Sequence, residues 1–118
     1  HGIADEIFDR IFTRDRPVVF AYHGYPYLIH RLTYKRANHD KLHVHGFQEE
    51  GTTTTPFDMV VMNGLDRYHL ALAALKYLPP SEAGESLAAR LHDRLDAHHR
   101  HIREHGEDMP EIRGWCWT

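Results

Sequence analysis

The sequence predicts an α/β fold: a small parallel or mixed sheet with flanking helices. Three observations carry this reading. An unbroken apolar run, "VVFAY" at residues 18–22, lies between Pro17 and Gly24. A helix-spaced apolar set follows at once in "YPYLIHRLTY". Then "LHVHGF" alternates Leu42 and Val44 with His43 and His45. Strand, helix, strand in that order is a βαβ unit, with its two strands parallel. Two strands do not make a stable sheet, so at least one more is expected from elsewhere.

The elements follow in chain order. "ADEIFDRIFT" places Ile7, Phe8, Ile11 and Phe12 at helical spacing behind an acidic first turn, which predicts a short amphipathic helix. The run from Val18 to Tyr22 suits a strand buried on both faces, as in parallel sheets. Pro26 fits a first helical turn, and Tyr25, Leu28, Ile29 and Leu32 form one apolar face after it.

"GTTTTPFDMVVMNG" reads as a helix start and stop. Thr55 is the N-cap, Pro56 the first helical residue and Asp58 the third, the pattern of a capping box with Asp for Glu. Phe57, Val60 and Val61 face a core, and Asn63-Gly64 supplies a left-handed stop. Asp66 caps the next helix, with Leu65 and Leu70 placed as a hydrophobic staple, and Pro79-Pro80 ends it. The last long helix starts near Ser81. Leu87, Leu91, Leu95, His98 and Ile102 form a narrow stripe along it, and Gly106 is its C-cap. Trp115 and Trp117 in the closing "EDMPEIRGWCWT" are expected to dock onto a body, because a free tail gains nothing from such large rings.

The chain has 118 residues, enough for one domain with one small core. It is 42% hydrophobic and 26% charged, the balance of a globular protein. A net charge of -3 argues against general nucleic-acid binding, which needs a basic surface. No apolar run approaches the length that crosses a bilayer, so neither nucleic acid nor membrane is an expected partner. Cys116 is the only cysteine, which excludes an intrachain disulfide and fits a reducing, cytoplasmic setting. The opening "HGIADEIF", without a methionine, suggests a piece of a longer protein.

Twelve histidines invite a metal reading. His43 and His45 share one strand face, and His98, His101 and His105 share one helix face; imidazole nitrogens in either pattern suit Zn²⁺. No carboxylate or cysteine completes a familiar ligand spacing, so solvated or hydrogen-bonded histidines are expected and no metal ligand is assigned. "YHGYP" sits at the carboxyl end of the first strand, where α/β sheets place their ligand sites. His23 and Tyr25, with His30, Arg31, Lys35 and Arg36 on the following helix, suit a phosphate or an acidic partner surface. Thr52, Thr53 and Thr54 offer hydroxyls ahead of a helix N-terminus. They suit an anion, and better still pairing with a neighbouring strand or domain. No nucleophile, base and orienting group stand together, and no glycine loop cradles a phosphate.

Two long strings, "FAYHGYPYLIHRLTYKRANHDKLHVHGFQEEGTTTTPFDMVVMNGLDRYHLALAAL" and "REHGEDMPEIRGWCW", closely resemble the C-terminal domain of the xylulose 5-phosphate/fructose 6-phosphate phosphoketolases. The resemblance runs from "HGIAD" onward, with residues 79–100 an ordinary charged helix. It implies a thiamine-diphosphate and Mg²⁺ enzyme, transketolase-like, that splits a ketose phosphate with inorganic phosphate to acetyl phosphate and an aldose phosphate. It further implies a homo-oligomer whose cofactor lies between two upstream domains, bound by residues outside this chain. No catalytic or cofactor residue maps onto this sequence on that reading. The chain is then expected to be a non-catalytic part of that domain, lacking its first two strands and a helix. The competing expectation is a free-standing α/β module that binds an anion or a metal.

Overall fold

The computed structural model describes residues 2–49 and 51–116. The five apolar residues Val18–Tyr22 form β1, and Leu42–Gly46 form β2. They pair in parallel, with Val18 opposite Leu42 and Tyr22 opposite Gly46. Helix α1 spans Asp5–Phe12, α2 spans Pro26–Thr33, and a short 3₁₀ turn, His39–Lys41, leads into β2. These elements make one compact unit, His1–Gln48; a second unit, Glu49–Thr118, holds the remaining helices.

In the first unit, the expected βαβ order is present and Pro26 stands at the start of α2. The turn after β1 is tight. Gly24 N donates to Tyr22 O at 2.9 Å, and Phe47 N donates to Gly24 O at 2.8 Å. A side chain at Gly46 would meet Pro26 Cδ at 2.3 Å and Gly24 O at 2.6 Å, so only glycine lets the end of β2 pass under that turn. The loop after α2 ties down α1 through polar groups. Arg36 pairs with Asp5 and donates to Ile3 O at 2.9 Å, and its guanidinium lies 4.5 Å over the Phe8 ring. Fully buried Asn38 donates to Phe12 O at 2.9 Å, satisfying a carbonyl that the end of α1 leaves open.

Three burial expectations change here. β1 is half-buried and Ala21 on it is exposed; among the described residues the sheet has two strands. On α1, Phe8 turns inward while Ile7 and Ile11 are exposed. On α2, Leu28 and Leu32 are exposed as well, and Ile29 and Thr33 take the inner side. Spacing marks an apolar stripe but not the partner that buries it.

The second unit consists of α3 (Pro56–Met62), α4 (Arg67–Leu75), α5 (Glu82–His105) and α6 (Pro110–Arg113). Its ends follow the local code. Gly64 takes φ +64, with Gly64 N bonded to Val61 O at 2.9 Å and Leu65 N to Val60 O at 3.0 Å, a Schellman stop. Asp66 accepts from Tyr68 N at 2.8 Å and His69 N at 3.2 Å, and Ser81 accepts from Gly84 N at 3.1 Å. Gly106 closes α5 in the left-handed conformation. Val61, Tyr68 and Leu95 form the core, with Phe57, Leu72, Leu91 and Ile112 packed around them. Leu87, at the start of the predicted stripe, lies outside that core and is exposed. Arg67 lies over the rings of Phe57, Tyr68 and Trp115, while Trp115 itself stays half exposed. Trp117 lies outside the described residues.

Gly46→Ala is expected to lower stability by about 1–3 kcal/mol, since the added methyl meets backbone and a rigid proline ring. Urea denaturation of the two forms checks it; an unchanged midpoint would show that the turn relaxes freely.

Candidate functional site

A polar group that joins separate segments of the second unit is Asp58, the third residue of α3. Its amide donates to Thr55 Oγ1 at 3.1 Å, the predicted cap. The carboxylate does not complete a capping box. It accepts from Thr54 Oγ1 at 2.7 Å and lies 2.9 Å from His98 Nε2 on α5. Thr55 Oγ1 in turn donates to Asp108 Oδ1 at 2.6 Å. One five-residue stretch, Thr54 to Asp58, is thereby tied to α5 and to the segment before α6.

His98 is fully buried, with Phe57 edge-on to its ring at 5.2 Å. A carboxylate offers only lone pairs, so Nε2 donates the shared proton. Nδ1 is buried without a hydrogen-bond partner.

The order of groups decides the chemistry. A nucleophilic hydroxyl needs an imidazole beside it and a carboxylate behind the imidazole. Here the carboxylate stands in the middle, between the Thr54 hydroxyl and the His98 ring. Thr54 donates to the Asp58 carboxylate, so the hydroxyl-to-imidazole contact of that order is not made here. Asp58 also borders an open cleft of about 500 Å³ with Met62, Asp96, His99, Arg100 and Arg103. Both signs of charge line it, which gives no net pull on a free anion.

The residues singled out from sequence fall as follows. His23 is exposed and stacks on Phe47 at 4.4 Å; Tyr25 is exposed and stacks on Tyr27 at 5.8 Å. His30 and Arg31 are exposed on α2. Among the described residues, none of these four bonds or stacks with another of them. Thr52 and Thr53 are exposed, while Thr54 turns inward to Asp58. Of the histidine face His98–His101–His105, the first member is withdrawn into the core and the other two rings lie 4.4 Å apart, tilted at 48°. Among the described residues, no three His, Cys, Asp or Glu side chains gather to hold a metal ion. Cys116 is exposed. The His98–Asp58 pair escaped the sequence reading, although one signal was present: a histidine in a leucine stripe is buried, and a buried imidazole needs a partner.

A family model described as the XFP C-terminal domain matches residues 1–117. A protein named "Probable phosphoketolase" from Bradyrhizobium diazoefficiens is 63% identical over 118 residues, 99% of this chain. One of the same name from Brucella abortus is 64% identical over 122 residues, and one from Gloeobacter violaceus is 59% identical over 118. The chain spans 15% of the length of each of these relatives.

Removing either member leaves the other without its buried partner, so His98→Ala and Asp58→Ala are each expected to cost about 1–3 kcal/mol. In a double-mutant cycle read by denaturant unfolding, the second substitution should then add much less than the first. Fully additive losses would mean that the two side chains do not interact.

Proposed function

The chain belongs to the XFP C-terminal domain family, and from that premise we propose that it serves as a non-catalytic part of the C-terminal domain of a phosphoketolase. The observation that carries this reading is the family match over residues 1–117, with relatives near 60% identity along the whole chain. The hydroxyl–carboxylate–imidazole order at Thr54, Asp58 and His98 supports a structural role for that polar cluster.

The full-length enzyme would cleave xylulose 5-phosphate or fructose 6-phosphate with inorganic phosphate, giving acetyl phosphate, an aldose phosphate and water. Thiamine diphosphate would supply the carbanion chemistry and Mg²⁺ its anchoring, both held by upstream domains of the same polypeptide. The described residues gather no three-ligand metal cluster, and no step of that chemistry is assigned to them. The two units would form part of one domain, in a cytoplasmic homo-oligomer. Strands from the preceding polypeptide would complete the sheet beside β1 and β2, whose half-buried residues fit that role. His23, Tyr25, His30, Arg31, Thr52, Thr53 and Thr54 would serve contacts at domain interfaces.

The test places this chain in the Bradyrhizobium relative in exchange for its matching region. Acetyl phosphate formation from xylulose 5-phosphate is expected to persist. Thr55→Ala in that protein should cost about 0.5–2 kcal/mol through the lost cap and leave turnover per folded enzyme unchanged. A collapse of turnover with stability intact would overturn the non-catalytic role.

A further inference from the structure

The outward side of α2 is built for contact. Pro26, Ile29 and Thr33 recur at i, i+3 and i+7 and turn toward the body of the unit, where α2 packs on β2. Opposite them lie Tyr27, Leu28, Arg31, Leu32 and, past the helix end, Tyr34 and Lys35. Leu32 is 75% exposed, Tyr34 62% and Tyr27 53%. A single exposed leucine is ordinary, but two leucines and two tyrosines together on one helical turn pair are not. Tyrosine and arginine around an apolar centre is the composition of interface hot spots.

Asp5, which borders Leu32, Tyr34 and Lys35, is engaged by Arg36, and the charge left on this side is basic. Between Asp15 and Asp40 the sequence contains no acidic residue, yet it carries Arg16, Arg31, Lys35 and Arg36, in a chain of net charge -3. Arg36 is engaged by Asp5 and Lys35 lies over the Tyr34 ring at 5.5 Å, while Arg31 makes no ion pair among the described residues. A free phosphate would use Arg31 and Lys35 but leave the leucines in water. A second α2 would bring like charges together, which opposes a symmetric contact between copies. An acidic protein surface with an apolar centre satisfies both halves of the patch.

We propose that this face of α2 docks an acidic, apolar-centred surface on the remainder of the full-length polypeptide. The inference rests on the reading of the chain as part of a phosphoketolase, since the chain spans only 15% of such relatives and most of their length is free to supply that surface.

Hydroxyl-radical footprinting tests it, comparing this chain alone with the Bradyrhizobium relative that carries it. Tyr27, Leu28, Leu32 and Tyr34 are expected to lose most of their reactivity in the long protein. Arg31→Glu there should restore reactivity at Leu28 and Leu32, most strongly at low salt, where the new like-charge repulsion is least screened. Equal reactivity in both proteins would overturn the proposal. Protection that survives Arg31→Glu at all salt concentrations would overturn the acidic complement. Protection that appears in the chain alone as its concentration rises would assign the face to a second copy instead. Acetyl phosphate formation is read separately, so a protected face in an inactive protein would sink the enzymatic reading and leave the docking face standing.

Discussion

The second unit depends on one interaction, the buried contact between Asp58 and His98. Its position sets the register of two helices. Val61 lies three residues after Asp58 on α3, and Leu95 lies three residues before His98 on α5; both belong to the core with Tyr68. The polar pair and the apolar contacts are therefore one helical turn apart on each helix. Apolar side chains tolerate sliding past one another, whereas a carboxylate facing a buried imidazole does not, because a slip strands both groups. A polar contact of modest net worth can in this way select one packing among several of similar hydrophobic energy. The hydroxyl of Thr54 fills the second carboxylate oxygen, and Thr55 links the same stretch to Asp108.

The first unit is organised differently. Phe8 and Leu42 are its buried apolar residues, and its long-range ties come from Arg36, Asn38 and Lys41, all on the connection between α2 and β2. Those donors fix α1 and the loop after it by satisfying carbonyls, without removing much apolar surface from water. Hydrogen bonds of this kind contribute modestly once the lost contacts with water are counted. The exposed side chains of α1, α2 and Ala21 thus mark the hydrophobic part of the unit's stabilisation as unfilled.

What the sequence made legible divides along the same line. Caps and stops are local codes, and Thr55, Gly64, Asp66, Ser81 and Gly106 each stand where the residue type placed them. The βαβ order was legible too, from two strand patterns around a proline-started helix. Burial was not, because whether Leu28, Leu32, Ile7 and Ile11 are covered depends on surfaces that these residues do not encode. His98 shows the middle case. It belonged to a leucine stripe and to a histidine stripe at once, and its spacing alone could not choose between them. The choice was made by Asp58, forty residues away and itself readable only as a helix cap.

The four threonines before Pro56 divide in the same way. Thr54 and Thr55 turn their hydroxyls inward, one to a buried carboxylate and one to an amide and an acid, while Thr52 and Thr53 stay exposed. β-Branched residues stiffen an extended backbone, so anchoring the last two restricts the first two as well. Hydroxyls held in this manner lose little further entropy when they meet a partner, which is the condition under which weak polar contacts become selective. The second half of the threonine run therefore serves folding, while its first half stays exposed. Replacing the run with more flexible polar residues would preserve its polarity and lose that restriction.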